Sequence, residues 1–320
     1  MKPPRLSPPA RHTRALLARV LTSLRAELGP ADPALRTLDP ADALALALAA
    51  DADALRLKRW LKRRLSGEPI AHITGRFTFC GLTFAIDKRA YVTDPEVAHL
   101  VSAVIARATA LAAAAKRPPL LADLGVGCGS LALAIRHALP VARLVGLDLD
   151  PDALAVAARN AAAHRLPLRL IESDLFDSWP TSLRAPDLIY GDPPWGDAST
   201  LYDETARPAG HYHAMPPVSA FPLGGRTGVH RQILRAVARR GWSSEIWLNC
   251  GVLPHAALTD LAQSAGATDF EIISPVPALS LLRCRMIRPP ALVPKTNARN
   301  AARSLSLDLP RTGICRAVDA

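Results

Sequence analysis

The stretch that decides the fold is LLADLGVGCG, residues 120–129, where a short apolar run leads into three closely spaced glycines. A buried strand, a glycine-rich turn and a following helical pattern are typical of the first βα unit of an open α/β sheet. Gly125, Gly127 and Gly129 let the backbone adopt positive φ and approach a ligand closely. Their G-x-G-x-G spacing differs from the G-x-G-x-x-G of dinucleotide-binding loops and favours a nucleoside ligand.

Beyond this loop, predicted strands and helices alternate along the chain. The predicted strands cover residues 120–124, 144–147, 168–171, 187–190 and 246–248, and predicted helices cover residues 130–138 and 153–163. This alternation predicts an α/β fold, with a mostly parallel sheet and helices on both of its faces.

Two acidic residues follow the next strands at positions that suit a nucleoside. Asp148 ends the second strand, where a carboxylate can accept hydrogen bonds from both ribose hydroxyls, and Asp174 follows the third strand, where it can accept from an adenine amino group. A helix N-cap is the alternative for each aspartate alone. The predicted cofactor-binding residues are Asp123, Gly125, Gly127, Gly129, Asp148, Leu149, Asp174, Leu175 and Asp192.

The fourth predicted strand ends in GDPPWG, residues 191–196, at the carboxyl edge where open α/β sheets bind ligands. Two consecutive prolines remove two N–H donors, so the loop presents carbonyl oxygens. A planar NH₂ group could donate to Asp192 and to the Pro193 carbonyl while lying on Trp195, with its lone pair aimed at a methyl group. We therefore predict Asp192, Pro193 and Trp195 as catalytic residues; a rigid turn with an aromatic plug is the alternative.

The composition divides the chain into four segments. Residues 1–68 are predicted as a helical N-terminal domain, residues 69–117 as a hairpin linker and connecting helix, and residues 118–288 as the catalytic domain. Residues 289–320 are rich in proline and poor in large apolar residues, which predicts a disordered tail.

Cysteine usage and charge narrow the class of protein. Five dispersed cysteines without a C-x-x-C pair argue against a disulfide framework and a metal site, so we expect a reducing cytoplasm. No run reaches about 18 uninterrupted apolar residues, so no membrane span is expected. The net charge is +9 over residues 1–117, −2 over residues 118–287 and +4 over residues 288–320. Such basic flanks could bind nucleic acid or an acidic protein, but solvated helix faces explain them more simply.

The glycine loop and residues 192–195 together resemble amino-group methyltransferases with an (Asp/Asn/Ser)-Pro-Pro-(Tyr/Phe/Trp) motif. RRLSGEPIAHITGRFTFCGLTF, residues 63–84, is similar to the linker of release-factor glutamine methyltransferases of the HemK/PrmC type. Residues 94–96, 154–161 and 223–228 share this similarity, which covers roughly residues 60–285.

This resemblance implies a seven-stranded, Rossmann-like methyltransferase sheet with a small helical N-terminal domain. The implied cofactor is S-adenosyl-L-methionine, with S-adenosyl-L-homocysteine as its product. The resemblance assigns Asp148 to the ribose, Asp174 to the adenine and residues 192–195 to the substrate amide.

The chain departs from the family's pattern at several points. The usual Asn-Pro-Pro-Tyr is Asp-Pro-Pro-Trp at residues 192–195, Pro-Arg-Pro-Glu-Thr is Thr-Asp-Pro-Glu-Val at residues 93–97, and Leu-Glu-Ile-Gly is Leu-Asn-Cys-Gly at residues 248–251. A late Gly-Arg-Asp-Arg stretch is absent around residues 278–282. These changes predict a substrate other than a release factor.

The favoured function is methylation of a planar NH₂ nitrogen on a small molecule or an amino-acid side chain, above all an arginine guanidino group. An ionised Asp192 offers only acceptors and a negative charge, which suits a cation. Asp192→Asn is then expected to lower kcat/KM by roughly 100-fold or more on a cation, and to be tolerated with a neutral amide.

Three alternatives remain open. One is N5-glutamine methylation of a release factor, the second is adenine-N6 methylation of DNA or RNA, and the third is a cofactor-binding module without activity. Nucleic acid is the weaker partner, since base flipping needs a positive groove and the catalytic region is slightly acidic.

The stretch at residues 201–217 follows the substrate loop and could form a lid or a surface loop. The predicted substrate-binding residues are Phe79, Asp192, Pro193, Pro194, Trp195, Tyr202, His211 and His213.

Overall fold

The computed structural model describes residues 8–205 and 210–286, so the predicted tail at residues 289–320 lies outside the described residues. Five helices come first: α1 (Pro8–Leu28), α2 (Pro33–Thr37), α3 (Pro40–Ala49), α4 (Ala54–Leu65) and α5 (Ile70–Thr74). Asp32, Asp39 and Asp53 cap α2, α3 and α4 by accepting from backbone N–H groups of the first turn. These helices bury a small core of their own, centred on Leu24, Leu46 and Leu61.

A β-hairpin joins these helices to the rest of the protein. Strands β1 (Arg76–Phe79) and β2 (Leu82–Ala85) pair antiparallel around a two-residue turn, in which Cys80 and Gly81 have φ of 47° and 78°. Asn160 connects this hairpin to the glycine loop, because its side chain bonds both the N–H and the carbonyl of Ala85 and donates to the Cys128 carbonyl. The hairpin is therefore tied directly to the predicted cofactor loop.

The remaining chain forms one seven-stranded sheet with helices on both faces. Its elements are α6 (Ala98–Ala115), β3 (Leu120–Leu124), α7 (Ser130–Ala138), β4 (Arg143–Asp148), α8 (Pro151–His164), β5 (Arg169–Glu172), β6 (Leu188–Gly191), α9 (Leu201–Thr205), α10 (Pro217–Ala220), α11 (Gly228–Arg239), β7 (Glu245–Asn249), α12 (His255–Ser264), β8 (Ala267–Val276) and β9 (Leu279–Met286).

The strand order is β5-β4-β3-β6-β7-β9-β8, and only β9 runs antiparallel to its neighbours. This arrangement confirms the predicted Rossmann-like α/β fold. The order reverses between β3 and β6, and ligands bind at such a reversal, beyond the carboxyl ends of the strands. The glycine loop follows β3 and the Asp-Pro-Pro-Trp loop follows β6, so both predicted loops lie at this point.

Helix α6 is long and apolar enough to cross a membrane by length and composition alone, with a mean hydropathy of 1.7 over residues 95–115. Its buried side chains, Leu100, Val101 and Val104, pack into the core beneath the sheet. Arg107 on the same helix donates to Glu245 of β7 over 2.9 Å. Part of this apolar stretch, 28% of it, is therefore buried inside the protein.

Candidate active site

The glycine loop has the conformation that its sequence predicts. Gly125, Gly127 and Gly129 have φ of 69°, 54° and 85°, a region that other L-residues rarely adopt. The N–H groups of Gly125 and Val126 both donate to the Leu147 carbonyl, over 2.9 and 3.0 Å. The loop is therefore held against β4, with its backbone next to the carboxyl edge of the sheet.

Asp123, the fourth residue of β3, is a buried carboxyl at the start of this loop. Only 1% of its surface is exposed, and the buried hydroxyl of Tyr190 interacts with it. Burial raises its pKa well above the ordinary range, the interaction with Tyr190 lowers it, and the negative charges of Asp148 and Asp192 raise it further. A cation placed here would offset the burial and the two neighbouring charges.

Asp148, at the end of β4, is hydrogen-bonded to the glycine loop. Its Oδ2 accepts from the Gly127 N–H over 2.8 Å and its Oδ1 accepts from the Asp150 N–H over 3.0 Å. Burial raises the pKa of this carboxyl as well. Beside it, Leu149 is 57% exposed.

The third predicted cofactor position follows β5. Asp174 is exposed, and Leu175 has a φ of 46°, which costs a non-glycine residue about 1–3 kcal/mol. Strained backbone of this kind is common at binding sites. The structure thus places the predicted cofactor residues at the carboxyl ends of β3, β4 and β5.

These features fit S-adenosyl-L-methionine, which carries a sulfonium and an ammonium charge. The fit rests on the buried carboxyl of Asp123 and on the glycine backbone of the loop, which has positive φ at three positions. A cationic nucleoside would meet a buried carboxyl beside a backbone that it can approach closely.

The substrate loop leaves β6 at Gly191, where a Cβ atom would lie 2.6 Å from the Leu124 carbonyl oxygen. Only glycine lets β6 approach β3 this closely. Asp192 follows, half-buried, and its Oδ1 accepts from Asn249 Nδ2 over 2.5 Å. Burial raises the pKa of Asp192 to about 7, the bond from Asn249 partly offsets this increase, and the negative charge of Asp94 adds to it.

Asn249 is the last residue of β7 and is missing from the predicted site. It is only 4% exposed, and its Oδ1 accepts from the Gly251 N–H over 2.8 Å. Its own carbonyl oxygen lies 2.8 Å from Nε2 of His230, a fully buried residue of α11. The sequence did carry a signal, because Asn249 departs from the family's pattern and ends the strand that neighbours β6.

Trp195 lies against the backbone just beyond β7. A Cβ atom on Gly251 would come within 2.0 Å of the indole ring. The Trp195 carbonyl accepts from Arg226 Nε over 3.3 Å, and Arg226 also forms a two-point ion pair with Glu204 of α9. The absence of a side chain at Gly251 thus makes room for the ring, and Arg226 of the 223–228 motif holds the backbone of Trp195.

Residues 197–205 and 210–221, here called the capping segment, cover the substrate loop. Leu201, Tyr212 and Met215 are buried there, with Trp195 and Tyr91 packed against them. Of the predicted residues, Tyr202 bonds Nδ1 of His213 over 2.8 Å and stacks on its ring, and His211 lies edge-on to Tyr212.

Two further residues differ from the prediction. Phe79 is 5% exposed and packs in the core formed with α6 and α7, so the structure does not bring it to the substrate loop. Tyr91, absent from the prediction, donates to Asp94 over 3.0 Å. Burial raises the pKa of Tyr91 well above its ordinary range, and the negative charges of Asp94 and Asp192 raise it further. Tyr91 and Asp94 therefore belong to the surroundings of Asp192.

Comparisons with known proteins agree with this geometry. The family model "Methyltransferase small domain" matches residues 107–207. The catalytic domain of hMettl16, solved in complex with MAT2A 3'UTR hairpin 1, has a TM-score of 0.50 at 13% identity, covering 77% of this chain and 84% of that one. At this identity the likeness concerns the fold alone.

Curated relatives are more specific. A 4-amino-L-phenylalanine/4-methylamino-L-phenylalanine methyltransferase of Streptomyces pristinaespiralis is 31% identical over 44% of this chain and 47% of its own length. For two release factor glutamine methyltransferases, the chain spans about half of the relative's length. The release factor glutamine methyltransferase of Cereibacter sphaeroides is 32% identical over 270 residues, which cover 82% of this chain and 86% of that relative. This confirms the resemblance: the chain belongs to the release factor glutamine methyltransferase family and is an S-adenosyl-L-methionine-dependent methyltransferase.

Proposed function

We propose that the protein methylates the side-chain amide nitrogen of a glutamine in a peptide-chain release factor. The observation that carries this proposal is the contact between Asp192 and Asn249, two residues that depart from the family's pattern. The family has an amide at the first position and a carboxyl at the second, and here the two groups have exchanged places. A carboxyl and an amide still meet across β6 and β7, so these departures compensate each other and do not require a new substrate.

This proposal reverses the preference for an arginine guanidino group. That preference rested on an ionised Asp192, whose charge would suit a cation. With a pKa of about 7, Asp192 is divided between its charged and neutral forms at neutral pH. The charge argument for a cationic substrate is therefore weaker than the sequence suggests.

The chain's own groups suit a poor nucleophile such as an amide. An amide nitrogen has its lone pair delocalised into the carbonyl group, so the lone pair must be turned out of conjugation by fixed acceptors. Asp192 Oδ2 and the Pro193 carbonyl are the acceptors that this loop offers for the two N–H bonds, and Trp195 supports the plane of the amide.

S-adenosyl-L-methionine supplies an electrophilic methyl group when bound. Asp123, Asp148 and the glycine loop would hold it at the ends of β3 and β4. Bound there, it would give up its methyl group to the lone pair of the nitrogen and leave as the neutral thioether, S-adenosyl-L-homocysteine. The Asp192 carboxylate or water would take the nitrogen's surplus proton.

The domain division supports a protein substrate. The similarity to the Cereibacter relative covers 82% of this chain, more than residues 69–320 together, so it extends into residues 1–68. We propose residues 1–68 as a separate helical domain and residues 69–117 as its link to the catalytic domain. A small domain joined by a hairpin beside the site suits docking of a folded partner.

The test is methylation of a purified release factor by the enzyme with labelled cofactor. We expect one methyl group per release factor, located on a glutamine by peptide mass spectrometry. The control substrate is the same release factor with that glutamine changed to alanine. Labelling of the control at the same rate, or no labelling of either protein, would contradict the proposal.

A cationic or amino-bearing small molecule is the second candidate, and Asp94 favours it. The family's pattern has an arginine at this position, whereas here a carboxyl faces Asp192 and raises its pKa. The Streptomyces relative is named for a free amino acid that carries an aromatic amine. Free arginine and 4-amino-L-phenylalanine therefore belong in the same assay, and turnover of either one without the release factor would favour this candidate.

A further inference from the structure

The side chain of Asn249 can adopt only one orientation. The backbone N–H of Gly251 is a donor, so the atom that faces it over 2.8 Å must be the amide oxygen. The amide nitrogen then points at Asp192 Oδ1 over 2.5 Å. Turning the amide over would set two donors against each other at Gly251 and two acceptors against each other at Asp192.

His230 holds the strand end that carries this amide. Its Nε2 lies 2.8 Å from the Asn249 carbonyl, and burial lowers the pKa of His230 to about 4. The ring is therefore neutral at working pH, and because a carbonyl can only accept, Nε2 carries the proton. Both the backbone and the side chain of Asn249 are thus fixed by neighbours that do not contact Asp192.

We infer that Asn249 is a positioning residue that determines which oxygen of Asp192 serves the substrate. Because Oδ1 is occupied by the Asn249 N–H, Oδ2 is the oxygen left for the substrate nitrogen. For the same reason a proton taken up by Asp192 resides on Oδ2. The ionised form thus offers an acceptor to the substrate NH₂, and the protonated form offers a donor that opposes it.

This inference changes the expectation for Asp192→Asn. The sequence alone suggests that asparagine would be tolerated with a neutral amide. With Asn249 in place, however, the new amide must turn its oxygen toward Asn249 and its NH₂ toward the substrate. Adding Asn249→Asp reverses the pair: asparagine at position 192 then donates to the new carboxylate and presents its oxygen to the substrate.

The kinetic experiment compares Asp192→Asn with the double variant Asp192→Asn/Asn249→Asp, using the release factor as substrate. It rests on the proposed function for the choice of substrate. We expect kcat/KM to fall by about 100-fold or more in the single variant and to recover by at least about tenfold in the double variant. A double variant no more active than Asp192→Asn would overturn the inference.

A second measurement needs neither substrate nor cofactor. In NMR spectra of protein labelled with ¹⁵N at asparagine, the side-chain NH₂ signals of Asn249 should shift with pH around a midpoint of about 7. The shift should vanish in Asp192→Asn. Asn249 signals that do not move with pH in the wild-type protein would contradict the inference.

The spectrum contains its own reference and separates two failures. The Asn160 NH₂ donates to the carbonyls of Ala85 and Cys128, which do not ionise, so its signals should stay fixed. Among the described residues, the other ionisable groups that interact with Asp192 are Asp94, Asp123, Tyr91 and Cys250, and a titration retained in Asp192→Asn would implicate one of them. If the release factor is not methylated, the proposed function fails, while the NMR result still decides the role of Asn249.

Discussion

The carboxyl groups at the two ends of the parallel strands have pKa values that are shifted in opposite directions. At the amino end, Glu245 is bonded by Arg107 and Arg285, and Asp187, just before β6, is bonded by Arg117 and Arg184. Burial would raise the pKa of each carboxyl, but the paired arginines outweigh it and lower both, that of Asp187 to about 2.

Among the residues that the structure describes, no arginine bonds the corresponding carboxyls at the carboxyl end. Asp123, Asp148 and Asp192 all have raised pKa values, with burial as the largest cause. At the amino end, the charges of Glu245 and Asp187 are neutralised by arginines of the same chain. A sulfonium cofactor bound at the carboxyl end would offset the negative charge of these carboxyls. The direction of the pKa shift therefore separates carboxyls that stabilise the fold from carboxyls that are placed to bind a ligand.

The largest expected effect comes from Gly251→Ala at the carboxyl end. A Cβ there would collide with the Trp195 ring, and a displacement of about 1 Å at a reacting centre costs about 100-fold in rate. We expect kcat/KM to fall by about that factor while cofactor affinity, measured by calorimetry, stays unchanged.

Gly266→Ala is the matched control for this variant. Gly266 has a φ of +83° and open space around its Cβ position, so it carries the same backbone strain without a collision. Equal loss of activity in both variants would assign the effect to backbone strain rather than to Trp195.

Asp148→Ala tests whether the carboxyl end is built for the cofactor. The variant loses the predicted ribose contact and the hydrogen bond from the Gly127 N–H. We therefore expect the binding free energy of S-adenosyl-L-methionine to weaken by about 1–3 kcal/mol. Asp150→Ala is the control, because Asp150 caps α8 and faces the same region. Unchanged cofactor affinity in Asp148→Ala would remove Asp148 from the site.

Glu245→Gln tests the opposite end. The change leaves two arginines without their carboxylate, and since both are about one-third exposed, we expect a loss of about 1.5 kcal/mol in the free energy of unfolding. Asp269→Asn, at an exposed ion pair with Arg283, should cost less than about 0.5 kcal/mol. A large loss of kcat with unchanged stability in Glu245→Gln would break the division between the two ends.

The pH dependence of catalysis gives the smallest effect. Asp192 must be ionised to offer Oδ2 as an acceptor, and its raised pKa means that the ionised form is lost as pH falls through about 7. The bound sulfonium favours the charged form, so kcat/KM at saturating cofactor should decline about tenfold per pH unit from a midpoint below 7. A flat profile between about pH 5.5 and 8 would exclude Asp192 as the group that titrates.

Sequence reasoning predicted the cofactor half of the site more completely than the substrate half. The glycine loop, Asp148 and the strand ends follow one another along the chain, so spacing alone locates them. The substrate half depends on contacts across the sheet: Asn249 meets Asp192 over 57 residues of chain, and Trp195 lies on Gly251. A single sequence does not contain the register that joins β6 to β7.

The same limit explains Phe79. The alternating pattern of the hairpin identifies which residues share a face, but not which face meets the core. The structure turns Phe79 inward, against α6 and α7, whereas Tyr91, just beyond the hairpin, reaches Asp94 beside Asp192. Local periodicity therefore indicates the hairpin, but not which of its side chains enter the core.

Asn160 connects the hairpin to the glycine loop through one side chain, which bonds both polar backbone groups of Ala85 and donates to the Cys128 carbonyl. If a protein that docked on the hairpin moved β2, these bonds would transmit the movement to the glycine loop. Linkage would then require reciprocity: whatever factor the docked protein applied to cofactor affinity, the cofactor would apply to docking.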